Sequence, residues 1–215
     1  MLDKLTEVEA RVLGSLVEKQ MTTPEYYPLT LNALTAACNQ KSNRDPVVSY
    51  DESTISSAIE TLREKNLVYL YYGTSSRTVK YKHMLPGVYD LDDAGVAVVA
   101  ALLLRGPQTL GELRERTARL HEFAGLGEVQ ETLEDLARRD EPIVVKLERQ
   151  AGQKEARYAH LLCGEVSQET VRERSTAVHP TDNDRLAKLE NELERMRQEL
   201  TEFRGIFEEF RKQFD

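Results

Sequence analysis

Between Leu5 and Leu161 one order of elements is written twice: three helical apolar stripes, then two short strand patterns around a turn. This recurrence restricts the fold more than any single motif, because each copy must bury its helical faces within a small layered unit. In the first copy Thr6 and Glu9 have the spacing of a capping box, and Val8, Val12, Leu13, Leu16 and Val17 make one helical stripe. Pro24 and Pro28 punctuate a loop, and Thr30 stands as the N-cap of a short helix with Leu31, Leu34 and Cys38 inward. Ser49 with Glu52 reads as a second capping box, opening a helix that turns Ile55, Ala58, Ile59 and Leu62 inward. Asn66 is its expected stop, since Asn tolerates the left-handed conformation. Leu67–Tyr72 and Thr78–His83 then read as strands around Gly73-Thr74-Ser75-Ser76.

In the second copy Asp92–Arg105 forms a helix that Gly106-Pro107 ends. Thr109 and Glu112 repeat the capping spacing, and Thr109-Leu110-Gly111-Glu112-Leu113 parallels Thr30-Leu31-Asn32-Ala33-Leu34. Glu128–Arg139 is the third helix, with Val129, Leu133 and Leu136 inward, and Ile143–Leu147 and Ala156–Leu161 are strands around Gln150-Ala151-Gly152-Gln153. Helix, helix, helix, strand, strand is the winged-helix order. The expected fold is therefore mainly α with small β hairpins (α+β): winged-helix domains over residues 1–90 and 91–163, a polar linker over 164–184, and a coiled-coil helix over 185–215. A single mixed helix-strand domain is the competitor. It has to explain why element order, the Thr-Leu-x-x-Leu string and both hairpins recur together.

After the linker, Leu186, Leu189, Leu193, Met196, Leu200, Phe203, Phe207, Phe210 and Phe214 alternate at spacings of three and four, a heptad seam without a polar residue. With Leu186 at position a, the g and e residues pair as Arg185 with Glu190, Glu192 with Arg197 and Glu199 with Arg204. All three are opposite in charge in a parallel in-register dimer, so self-association is expected here. The phenylalanines leave a second possibility, a helix folded back onto its own domains.

The net charge of −8 opposes attraction of the whole molecule to nucleic acid, although a local basic patch is allowed. Two cysteines, Cys38 and Cys163, give no disulfide framework and no metal spacing. The charged amphipathic start does not fit a secretory signal. The longest apolar run, Val96–Leu104, is nine residues, against about 20 for a membrane span. A cytoplasmic location is expected. His83, His121, His160 and His179 stand at no metal-ligand spacing, and no phosphate loop, nucleophile elbow or paired-carboxylate motif is present. The expectation is a non-enzyme without cofactor or metal.

The chemistry-bearing string is Asn39-Gln40-Lys41-Ser42-Asn43-Arg44-Asp45-Pro46, a link of about ten residues where a helix-turn-helix has three or four. Lys41 and Arg44 suit phosphate, and Asn39, Gln40, Ser42 and Asn43 suit base edges. The same residues could equally bond their own backbone in a solvated loop. The following helix presents Ser53, Ser56 and Ser57 with Glu60 and Glu64, and the first hairpin carries Arg77, Lys80 and Lys82. Loop and hairpin tip are expected to merge into one cationic face. If the loop is tucked into the interior or neutralised by carboxylates, nucleic-acid recognition is to be abandoned. The third helix of the second copy shows Glu128, Glu131, Glu134 and Asp135, which opposes DNA and favours a protein contact there.

The stretch Thr23–Leu34, continuing through Ala37–Pro46, resembles the signature of the YceH family, over residues 5 to about 162. The resemblance implies a bacterial cytosolic protein with tandem winged helices, and it brings no activity, ligand or catalytic residue. Two functions follow as expectations: a dimeric DNA-binding regulator, or an acidic interaction module. The second is similar to the accessory subunits of bacterial chromosome-condensing complexes, whose winged helices clasp a partner protein.

Overall fold

The computed structural model describes residues 4–73, 78–149 and 155–164. The chain divides into two compact units, residues 1–167 and 168–215, and every described residue lies in the first. Helix α1 (Glu7–Thr22) starts as expected. Thr6 Oγ1 accepts the Glu9 N–H at 3.2 Å, and the Glu9 carboxylate accepts the Thr6 N–H at 2.6 Å. Pro24–Tyr26 is a single 3-10 turn, and α2 (Leu31–Cys38) is capped by Thr30. Helix α3 (Glu52–Glu64) buries Ile55, Ala58, Ile59 and Leu62. Its cap differs from the Ser49–Glu52 box expected. Asp51 is the N-cap, accepting the Thr54 N–H at 2.7 Å, because a carboxylate one residue before the helix reaches a donor that Ser49 cannot. Asn66 takes the left-handed conformation (φ 58°) just beyond the end of α3.

Strands β1 (Val68–Tyr71) and β2 (Lys80–His83) pair antiparallel. A short helix, α4 (Leu85–Tyr89), absent from the sequence reading, leads into α5 (Asp93–Arg105). Helix α5 is buried from Gly95 to Leu104, more than one face, which explains its uninterrupted apolar run. After it come α6 (Leu110–Thr117), capped by the expected Thr109–Glu112 box, and α7 (Leu126–Ala137), which starts two residues earlier than Glu128 and buries Val129, Leu133 and Leu136. The second sheet has three strands, β3 (Gln108–Thr109), β4 (Val144–Lys146) and β5 (Arg157–His160), in the order β3-β5-β4.

The third strand was not foreseen, and it has a counterpart. Leu29, one residue before the N-cap of α2, bridges Tyr81 of β2 through reciprocal backbone bonds of 3.3 and 2.7 Å. Gln108, one residue before the N-cap of α6, pairs with Tyr158 of β5. The two halves thus repeat in backbone pairing as well as in element order. They are joined through α1 and α5. Gly14 lies at their crossing, where a Cβ would come within 3.0 Å of Leu104 Cγ and 3.1 Å of Leu103 Cβ. The first and last parts of the described body also meet, with Leu5 N donating to Leu162 O at 2.8 Å.

Candidate interaction surface on the first hairpin

The polar string at 39–46 is largely built into the body. Asn39 clamps Tyr50, donating to its carbonyl at 2.7 Å and accepting its N–H at 2.8 Å. Arg11 donates to the carbonyls of Cys38 at 3.1 Å and Pro46 at 2.6 Å, holding both ends of the segment. Asn43 sits at φ 58°, and its Oδ1 accepts from Arg105 at the end of α5. The Asp45 N–H donates to Leu104 O at 2.9 Å.

Arg44 is the correction that matters most. It is buried, its Nη2 lies 2.6 Å from Glu18 Oε2, and it also donates to the carbonyl of Ala37 at 2.9 Å. A guanidinium neutralised by a buried carboxylate cannot reach a phosphate without giving up its 2.6 Å contact with Glu18. The neighbouring Asn43 and Asp45, not Arg44, carry the link's contacts with the second half, at Arg105 and Leu104. Lys41 and Ser42 remain exposed and Gln40 is half-buried. On α3, Ser53 and Ser57 are exposed and Ser56 is half-buried. Ser53 Oγ is turned to Asp51 at 2.9 Å, and Ser57 Oγ to the Ser53 carbonyl at 3.0 Å. Arg77 lies outside the described residues, as do the heptad positions from Leu186 to Phe214.

The hairpin carries what the loop does not. Its register places Tyr69 opposite Lys82 and Tyr71 opposite Lys80, and residues directly opposite share a face. The other face pairs Val68 with His83 and Leu70 with Tyr81, and it turns inward. Tyr69 and Tyr71 are 49% and 47% exposed, and Tyr72 at the end of the strand is 68% exposed. His83, below this face, is no acid or base for it. Its Nδ1 accepts the Leu85 N–H at 3.3 Å, and burial, reinforced by Lys82, pushes its pKa down to about 4. The tyrosines were missed in the sequence. The signal was there: positions 69 and 71 alternate with the apolar Val68 and Leu70, and the lysines alternate likewise.

On α7 the acidic row is partly compensated, because Arg138 pairs with Glu134 and, at 3.2 Å, with Asp135. Among the described residues no three His, Cys, Asp or Glu side chains group as metal ligands, and no helix is long and apolar enough to cross a membrane. Cys38 is buried and Cys163 exposed.

A family model described as a protein of unknown function, DUF480, matches residues 5–153. The chain belongs to the DUF480 family. Relatives named UPF0502 protein align with most of this chain at about half identity. That of Pelobacter propionicus is 48% identical over 98% of both chains, and that of Geobacter sulfurreducens is 48% identical, again over 98% of both. The Opitutus terrae protein is 52% identical over 91% of this chain and 84% of its own. Membership of DUF480 agrees with the resemblance carried by residues 23–46, and the names of these relatives state no activity.

Proposed function

We propose that this DUF480 protein is a non-catalytic binding protein of two tandem winged-helix units, dimerised through the heptads at 185–215, whose first hairpin grips an acidic partner protein. The winged-helix assignment is supported by the recurring element order and by the matched bridges of Leu29 to Tyr81 and Gln108 to Tyr158. The observation that carries the binding role is the outer face of β1 and β2, with Tyr69 over against Lys82 and Tyr71 against Lys80. Half-exposed tyrosines are the side chains that anchor interfaces, being large, stiff and amphipathic. Lysines around them select a negatively charged partner.

A partner protein fits better than a duplex for an electrostatic reason. A duplex read by α3 would bring phosphates onto the cap Asp51 and onto Glu52, Glu60 and Glu64 of the helix, of which Glu60 is offset by Arg63 at 2.6 Å. Arg44, which should have offset them, is spent on Glu18. A partner engaging the hairpin alone avoids these carboxylates. DNA binding through this face is set aside, because the loop that was to supply it is tied into the body and Arg44 is neutralised by Glu18. A further protein contact on the acidic face of α7 remains part of the first reading.

The test is affinity capture with the full chain after nuclease treatment, beside Tyr69→Ser/Tyr71→Ser and Lys80→Glu/Lys82→Glu variants. A stoichiometric partner retained by the wild type and lost by both variants is expected. Equal capture by all three removes the hairpin from the interface. Salt-sensitive binding of the wild type to duplex fragments, lost in the lysine variant, would move the assignment to DNA.

A further inference from the structure

Where the end of α5 meets α6, a small cleft opens between Arg105, Arg116 and Arg119 of the second half and Glu18 and Asn43 of the first. The charges around it do not balance. Glu18 is shared between Arg44 at 2.6 Å and Arg119 at 3.8 Å. Glu112 is shared between Arg157 at 2.9 Å and Arg116 at 3.3 Å. Arg105 leans on a neutral acceptor, Asn43 Oδ1. In these contacts, among the described residues, five guanidinium groups meet two carboxylates, in a chain whose overall charge is −8. Burial and then the proximity of Arg116 and Arg119 push the pKa of Arg105 down, as expected of cations held together without enough counter-charge.

The three arginines come from fixed positions: the last residue of α5, the last turn of α6, and two residues beyond it. Arg116 is steadied by Gln108 Oε1 at 3.0 Å. Three guanidinium groups lining one cleft suit an oxyanion, to which such groups donate N–H bonds and opposite charge. The cleft is open to solvent, and its inner space of about 10 Å³ has room for little more than one water. A phosphate is too large to enter this space as well, so the ligand would sit at the mouth of the cleft against the guanidinium groups. The excess of cations favours a dianionic head over a single carboxylate.

We propose that Arg105, Arg116 and Arg119 form a binding site for phosphate, either inorganic or the head of a phosphate monoester, across the junction of the two halves. An anion there would tie α6 to the α1–α5 contact and make the pairing of the halves responsive to a small metabolite. The site is separate from the hairpin face and stands without it.

The full chain is titrated with inorganic phosphate by calorimetry and by thermal unfolding, with chloride holding the ionic strength constant. A saturable one-site signal and a rise in Tm are expected. Arg119→Gln, at a side chain 60% exposed and therefore tolerant of change, should bind about tenfold more weakly or worse while keeping the wild-type Tm without phosphate. Arg116→Lys, which keeps charge and loses the fork, should also weaken binding. Arg114→Gln, exposed on the same helix, should bind like the wild type. No saturable signal in the wild type overturns the site, as does equal weakening by Arg114→Gln and Arg119→Gln, which marks general screening. Competition by glycerol phosphate, but not by a short oligonucleotide, assigns the site to small phosphates. Stronger competition by the oligonucleotide transfers it to a nucleic-acid backbone and overturns the small-ligand assignment.

Discussion

Arg44 is held in the interior by Glu18, 2.6 Å away, and by the Ala37 carbonyl, which accepts two of its N–H groups at 3.2 and 2.9 Å. Removing one member of such a pair leaves the other buried and uncompensated, which costs about 3–5 kcal/mol. Arg44→Met should therefore lower the unfolding free energy by that amount in urea titrations. Lys41→Met, three residues earlier and exposed, should change it by less than about 0.5 kcal/mol. Equal losses would mean that the two side chains share one environment. His83 avoids the cost differently, by staying neutral, with its folded pKa pushed down to about 4 against an ordinary value of 6.5. The unfolded chain then binds the extra proton first. Stability present above about pH 6.5 is lost as the pH falls toward about 4, by roughly 3 kcal/mol at most. His83→Leu should flatten this part of the pH–stability curve. An unchanged acid limb in that variant would place the titrating group elsewhere.

At the scale of elements, α1 and α5 approach closely enough that Gly14 has no room for a side chain without movement of Leu103 and Leu104. Gly14→Val should cost about 1–3 kcal/mol by overpacking. Gly127→Ala is the matched control. It too is helical, but nothing lies within 4 Å of its added Cβ, so the change should be neutral or stabilising by up to about 1 kcal/mol. Thermal unfolding of the pair checks this, and similar Tm shifts in both would count against a tight crossing. Local chemistry made these elements legible in the sequence. The Thr6 and Thr109 boxes, the inward stripe of α3 and the Asn66 stop are short-range effects, and all stand as read. What was illegible is long-range. Nothing within residues 39–46 tells that Glu18, 26 positions before Arg44, will bury it, or that Arg105 will meet Asn43 across 62 positions. The same holds for Gln108, whose pairing with Tyr158 depends on a strand 50 residues away. The Tyr–Lys face lies between these cases, since alternation gives the face and only the hairpin register gives the partners.

At the scale of the whole molecule, the proposed function joins a hairpin face that is small to a chain with a second means of gaining strength. Two tyrosine–lysine pairs on a four-residue strand offer a limited contact, far below the area of a standard protein–protein interface. A parallel dimer through the heptads would present two such faces on one particle. A partner carrying two acidic segments would then bind with an effective concentration set by the linker over 164–184. Leu193 and Leu200 occupy successive a positions of that seam, and a carboxylate at both would set like charges against each other at the centre of the dimer. Leu193→Asp/Leu200→Asp should therefore sediment as a monomer where the wild type sediments as a dimer. The described body, residues 4–164, should keep its helical circular dichroism and its Tm. Affinity for a partner with two acidic segments should fall in the variant, while affinity for a single acidic segment stays the same, because only the second attachment is lost. A variant that remains dimeric would remove the seam as the contact between copies. A monomeric wild type would leave the hairpin face to act alone, with a weak and transient partner.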